Sequence, residues 1–186
     1  GMKVISSLFG AGQMMFTKYL VVGSGIVNLR NYKELMIHIL GNTDFRSDII
    51  FTHGPLDVLD HSSDSFSYGG KAGVDATIKL PEEIRAEHKI PDAGNATELN
   101  NISDWLNVPY IKACNANLLK EGIGILVLAV DLSEDPDCMR RIIELLKPED
   151  RADMFRLVII VDHTVDPDDI FVVTWQALGN TDPERD

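Results

Sequence analysis

The sequence predicts an α/β protein: a three-layer α/β/α arrangement with a mixed, largely parallel sheet, in which one β-turn-α unit occurs twice. Three observations carry this reading. Residues 15–48 align without a gap on residues 153–186, apolar on apolar through a strand, a polar turn and a helix. Both copies end in the same pentapeptide, Leu40-Gly41-Asn42-Thr43-Asp44 and Leu178-Gly179-Asn180-Thr181-Asp182, and a register held over that length points to internal duplication. A third strand-and-helix pattern lies between the copies, and alternating strands and helices imply parallel pairing with helices on the sheet faces.

Taken in order, Thr17–Gly23 is a β-branched and aromatic run closed by Gly23-Ser24-Gly25, which reads as a buried strand and a turn. Asn28 is placed to cap a helix from Leu29 to Leu40, with apolar residues at three- and four-residue spacing and Gly41 at its C-terminus. Ile49–Thr52 reads as the next strand. Residues 53–80 then break the pattern: His61 to Gly73 is rich in Ser and Gly and too long for an ordinary connection. Pro81–Glu87 reads as a charged helix and Pro91–Asn101 as a polar link. Ile123–Val130 reads as a strand, Asp135-Pro136-Asp137 as a cap, and Met139 to Leu146 as a helix stopped by Pro148. In the second copy Asp166 can cap, with Pro167 at the first helical position and Asp168 and Asp169 near the positive end of the helix dipole. The division expected is 2–90 for the first repeat and 91–186 for the appended β-α units with the second. The first copy runs on into Ile49, whereas the second stops at Asp186, so the second reads as cut short and the chain as part of a longer protein.

Charge and cysteine usage bound the function. A net charge of −12, with no basic stripe, argues against binding to nucleic-acid phosphate or anionic lipid. The two cysteines, Cys114 and Cys138, are far apart and support neither a disulfide framework nor a zinc site, which fits a reducing cytoplasm. The longest apolar runs are too short to span a bilayer, and Gly1 before Met2 resembles a scar of tag removal.

The short motifs are weaker than they look. Gly23-Ser24-Gly25 has Asn28, and Gly10-Ala11-Gly12 has Met15, where a dinucleotide fingerprint needs a third glycine. Ser62, Ser63 and Ser65 lie near His61 and Asp64, but their order and spacing match no nucleophile elbow. His163, aligned with Gly25 of the first copy, reads as a turn residue. Asp57 and Asp60 lie in the apolar and acidic stretch Pro55 to Asp60, where an inward carboxylate needs a cationic or hydrogen-bonding partner. Lys71 is the candidate partner, either as part of a site or as a tie that holds the loop.

Several ordered motifs together resemble the C-terminal domain of the UbiD decarboxylases, over roughly residues 3–85. They are Met15-Phe16-Thr17-Lys18-Tyr19-Leu20-Val21-Val22, Asn28 and its helix, Asn42-Thr43-Asp44 through Asp48, Pro55-Leu56-Asp57-Val58-Leu59-Asp60, and Gly70-Lys71-Ala72-Gly73-Val74-Asp75-Ala76-Thr77. The appended half resembles the extended C-terminal region of the menaquinone-type UbiD-like enzymes. The resemblance implies a carboxy-lyase that removes CO2 from an aromatic or α,β-unsaturated acid, with a quinone precursor such as a hydroxybenzoate or naphthoate as the expected substrate. The cofactors implied are prenylated FMN, a divalent metal (Mn or Mg) and potassium. The catalytic residues and metal ligands would belong to a preceding flavin-binding domain, so no catalytic residue or bound cofactor is expected here, and the isolated fragment should be inactive. The domain would cover the active site, line the substrate pocket and help to build a homo-oligomer.

Carried over by residue, the resemblance implies that Met15, Thr17, Asp57 and Leu59 face the substrate. Lys18, in the Thr-Lys pair, would be either a cofactor ligand or the cation of a strand-end salt bridge. Ala11 stands where some relatives place a cofactor-phosphate lysine. The alternative reading is a non-catalytic oligomerisation or interaction module with a purely architectural repeat, and an independent nucleotide-binding protein is a third.

Overall fold

The computed structural model describes residues 1–84, 102, 106–147 and 155–185. They form two compact units, one of Gly1–Ile90 with Leu178–Asp186 and one of Pro91–Ala177. Residues 178–186 therefore pack with the first unit, not with the half to which sequence order assigns them. No helix among the described residues is long and apolar enough to cross a membrane.

The first unit opens with α1 (Met2–Phe9) and a 3₁₀ turn (Gly12–Phe16), followed by β1 (Tyr19–Gly23), α2 (Tyr32–Asn42), β2 (Ile49–Pro55) and β3 (Tyr68–Ala76). Its sheet has the order β1-β3-β2. β1 runs parallel to β3, from Tyr19 opposite Ala72 to Gly23 opposite Ala76, and β2 runs antiparallel to it, from Ile49 opposite Val74 to Pro55 opposite Tyr68. The central strand is the one that the sequence hides within its Ser- and Gly-rich stretch. Gly69 to Ala72 are buried, and small residues serve there because neighbours approach the backbone closely. A Cβ at Gly73 would overlap Ile5 of α1, and Ile5 is fully buried. The true loop is thus only Leu56 to Ser67. Pro81–Glu83 forms a 3₁₀ turn in place of the start of the expected helix; the rest of that helix and the 91–101 link lie outside the described residues.

The second unit contains β4 (Ile111–Asn115), α3 (Asn117–Lys120), β5 (Ile125–Val130), α4 (Cys138–Leu146) and β6 (Leu157–Asp162), and α5 (Ile170–Asn180) follows. The order is β4-β5-β6, with β5 antiparallel to β4 and parallel to β6. β5 is buried at all six positions, which is why it reads as an unbroken apolar run rather than an alternation. Around it lie Leu106, Tyr110, Leu119, Cys138, Ile142 and Phe155. α4 turns Cys138 and Ile142 inward and leaves Met139 and Ile143 exposed. Both units are α/β with a mixed sheet of one parallel and one antiparallel pairing. Each sets the strand of its β-turn-α unit at one edge, parallel to the central strand, but the hairpin follows that unit in the first and precedes it in the second.

The two β-turn-α units coincide at the 138-residue offset: β1 with β6, and Tyr32–Asn42 with Ile170–Asn180. Their turns share hydrogen bonds as well. Val27 N–H donates to Ser24 O at 3.2 Å and Val165 N–H to Asp162 O at 2.9 Å. Arg30 N–H donates to Asn28 Oδ1 at 3.0 Å and Asp168 N–H to Asp166 Oδ1 at 2.9 Å. Asn28 and Asp166 thus close a turn, and the helix caps lie three residues later: Asn31 accepts from Glu34 N–H at 3.3 Å and Asp169 from Val172 N–H at 3.1 Å. Gly41 and Gly179 are helical, not C-terminal positions of positive φ. The helices end at Asn42 and Asn180, where Asp44 and Asp182 each accept a bond from the amide two residues on.

Candidate functional site

The loop between β2 and β3 is held from below by polar contacts. Leu56, buried, donates its N–H to Ser67 O at 2.9 Å and closes the loop at its base. Lys18, at the foot of β1, places Nζ 2.9 Å from Asp60 Oδ2 and 3.0 Å from Ser62 Oγ. Burial pushes the Asp60 carboxyl up, but the Lys18 hydrogen bond and charge and the two Ser62 bonds outweigh it and hold the group below its usual value. Ser63 Oγ donates to the carbonyls of Ser65 and Tyr68. Ser67 carries the tension of the turn, with φ +53 and a buried hydroxyl that has no hydrogen-bond partner.

Lys71 does not pair with Asp57 or Asp60. Its Nζ donates to the backbone carbonyls of Met15 and, at 2.8 Å, Thr17, and lies 5.4 Å from the centre of the Phe9 ring. The side chain is among the most deeply buried of the chain, and burial pushes its ammonium down from the ordinary value. Lys71 sits mid-strand in β3, so its side chain must cross to the 3₁₀ turn, and Gly54 leaves the space: a Cβ there would meet Lys71 Cε at 3.0 Å.

The structure therefore brings Lys18 to Asp60 and Ser62, and Lys71 to the backbone of Met15 and Thr17. Met15 and Thr17 are themselves half-buried. Asp57 is exposed and accepts Leu59 N–H at 2.9 Å, a bond within the loop. Leu59 is 83% exposed and Phe66 85%, and Val58 is exposed too, so the loop presents three large apolar side chains along with the Asp57 carboxylate.

Ser62 is no nucleophile in this arrangement. Its hydroxyl donates to Asp60 at 2.6 Å, and the same Asp-x-Ser/Thr turn recurs at Asp75/Thr77, Asp131/Ser133 and Asp162/Thr164. A geometry seen four times in one chain is a backbone device. Among the described residues the His61 ring bonds Leu59 O, at 3.3 Å. The Lys18–Asp60 pair spans 42 residues and had no local signal, although the Asp-x-Ser turn was available from the sequence.

A further arm reaches the loop from residues 178–186. Asp182, buried, accepts Gly70 N–H at 3.2 Å, and Thr181 bonds Tyr19 Oη. Arg185 donates to Asp64 at 3.0 Å and to Ser62 O at 3.1 Å, and Glu184 pairs with His53. Sequence reasoning missed this arm, and its signal was the pair Gly69-Gly70: a Cβ at Gly70 would overlap the Asp182 carboxylate and meet Glu184 N at 2.9 Å.

The model of the 3-octaprenyl-4-hydroxybenzoate carboxy-lyase C-terminal domain, UbiD_C, matches residues 1–76 and 94–186. The chain belongs to this family. Both β-turn-α units and both sheets fall within the residues matched by the UbiD C-terminal domain. Among curated proteins, one from Aquifex aeolicus is 37% identical over 81 residues, covering 44% of this chain and 17% of that protein. One from Helicobacter pylori is 29% identical over 191 residues, covering 99% of this chain and 28% of its own length. The chain thus spans less than a third of these relatives. Among solved structures, Sedimentibacter hydroxybenzoicus vanillic acid decarboxylase in its open form is 19% identical with a TM-score of 0.43, over 56% of this chain and 22% of that one. The UbiD-class enzyme HmfF from Pelotomaculum thermopropionicum in complex with FMN is 22% identical with a TM-score of 0.38, over 57% of this chain and 23% of that one.

Proposed function

We propose that the chain is the substrate-pocket and oligomerisation domain of a longer cytoplasmic decarboxylase that removes CO2 from an aromatic or unsaturated acid in quinone biosynthesis. The observation that carries the reading is the family match over both halves of the chain. The exposed arc Asp57–Leu59 on an anchored loop supports it, since rigid support beneath exposed apolar side chains is what a pocket wall requires. In this reading Leu59 supplies apolar contact to the ring of the acid, Asp57 faces its polar end, and Met15 and Thr17 line the adjoining wall. Ser67, strained and with an unsatisfied hydroxyl, lies in the same loop, and stored strain is common where a loop is shaped for a ligand.

Prenylated FMN, when bound by the preceding domain, would act as electron sink for the decarboxylation. That preceding domain would also supply its phosphate and metal sites. Among the described residues no three His, Cys, Asp or Glu side chains converge on a metal position. Lys18 already engages Asp60 and Ser62, and Ala11 offers no charge. Lys18 accordingly acts as the anchor of the loop, and a cofactor contact from it requires release of Asp60. The coincidence of turn bonds at one offset supports descent of the two β-turn-α units from one ancestor. The test is expression of the longer reading frame with a source of prenylated FMN, followed by a decarboxylation screen on aromatic acids. Carbon dioxide release that depends on the cofactor is the expected result. A reading frame without a flavin-binding domain upstream would favour the alternative, an architectural module.

A further inference from the structure

Asp182 and its neighbours reach well beyond their own turn. Asp44 and Asp182 make the same local bond, accepting from Arg46 N–H at 2.9 Å and Glu184 N–H at 3.0 Å. Asp182 also accepts an amide of β3, that of Gly70. Burial pushes its carboxyl up, and the amides of Glu184 and Gly70 with the Arg185 charge bring it below the ordinary value. The receptacle is built into β3: two successive glycines leave the volume that the carboxylate fills. From that anchor the segment continues to Arg185, whose guanidinium holds Ser62 O, while the Ser62 side chain bonds both Asp60 and Lys18. On the other side Thr181 holds the hydroxyl of Tyr19, the neighbour of Lys18.

We propose that residues 181–185 are a strap, with Asp182 as its anchor and Arg185 as its arm, and that it positions the 57–67 loop of the candidate pocket. The second copy thus serves the first copy's site rather than a site of its own. Asp182 and Arg185 are positioning residues: they act through Gly70 and Ser62 and touch no reacting group. Four of the eleven residues 57–67 are Ser and none is held in a strand; ordering such a loop costs backbone entropy of about 1–2 kcal/mol per residue, so the added anchors at Ser62, Asp64 and Gly70 have a definite task. That the loop is a pocket wall rests on the proposed function; that the strap orders it does not.

Two measurements separate these claims. The first is amide hydrogen exchange on the chain itself, comparing Asp182→Ala, Asp182→Asn and Arg185→Ala with the parent. Asp182→Ala should speed exchange at Gly70 and across residues 62–68 by tenfold or more, with the β5 amides unchanged. Asp182→Asn keeps an oxygen for one of the two amides that the carboxylate accepts, Gly70 and Glu184, and should fall between the parent and Asp182→Ala. Arg185→Ala should speed residues 62–64 only. Exchange in the loop within twofold of the parent for both alanine variants overturns the strap, and so does equal acceleration in β5, which would report general destabilisation. Should Asp182→Ala fail to fold, Arg185→Ala and Asp182→Asn still decide the matter. The second measurement is turnover in the longer, cofactor-loaded protein, where Asp182→Ala should raise KM several-fold with kcat less affected and Asp182→Asn should raise it less. An exchange response with unchanged KM retains the strap and removes the loop from the pocket.

Discussion

Replacing Lys71 with Met tests whether a buried ammonium is worth its burial. Lys71 has no carboxylate partner among the described residues and donates to two carbonyls. A hydrogen bond from a charged donor returns roughly 1.5–3 kcal/mol, and an orphaned buried carbonyl costs roughly 1–3 kcal/mol. Desolvation of the ammonium opposes this with several kcal/mol. Met fills most of the same volume without charge, so it relieves the desolvation and orphans the carbonyls of Met15 and Thr17. The expected net loss is about 2 kcal/mol, which for a chain of this size lowers Tm by about 4–8 °C. Urea unfolding followed by far-UV circular dichroism at pH 7 and at pH 10 measures it. The sign of the pH dependence follows from the cause of the shift. Burial lowers the Lys71 pKa below 10.5 in the folded state, so between the two values the unfolded chain binds more protons and stability rises with pH. The parent should therefore gain on the variant as pH approaches 10.5. A variant as stable as the parent, with the same alkaline profile, would show that Lys71 holds nothing and that the 3₁₀ turn is fixed by its own bonds.

Asp60→Asn should cost about 1–2 kcal/mol at pH 7, read from the urea midpoint. Because the parent's Asp60 pKa lies below 3.8, the stability it supplies is present above that value and lost as pH falls through the lower folded pKa, so the variant should show a flatter acid limb. Ser67→Gly removes both the positive-φ strain and the unpaired hydroxyl and should stabilise the chain by about 1 kcal/mol, visible as a raised Tm; a lowered Tm would refute the strain. Ile142→Ala, in the core of the second unit, should cost about 2–5 kcal/mol in chemical denaturation. Leu59→Ala, at an exposed position, should leave stability within about 0.5 kcal/mol and alter the acid preference of the longer enzyme; unchanged preference would remove Leu59 from the pocket.

What could be read in the sequence follows from where each element is buried. β5 was legible because all six of its residues are apolar and buried, and the two β-turn-α units because their sequences align at one offset with Asn and Asp at fixed spacing in the turns. β3 was not legible. Its neighbours come so close that glycine replaces the β-branched residues by which strands are recognised. β4 lacked a signal for the opposite reason: three of its five residues are exposed. The helix starts were misplaced because Asn28 and Asp166 cap turns that resemble helix caps in sequence alone. Of the candidate site, the sequence singled out the loop by its composition, whereas Lys18–Asp60, Lys71–Met15 and Asp182–Gly70 join positions 42 to 112 residues apart, and no local rule reports such distances.

The reversed placement of the hairpin has a kinetic consequence. In the second unit β6 joins a hairpin already made, and its first pair, Ile125 with Leu157, is 32 residues apart in sequence. In the first unit β1 must wait for a partner that lies beyond the next helix and strand, since Tyr19 pairs with Ala72, 53 residues on. Longer closures slow the search for native pairings. The arm that completes the first unit is made later still, after all of the second. On a ribosome, the unit begun first is therefore the one finished last, and until residues 178–185 emerge the start of β3 keeps an open seat beside its paired glycines.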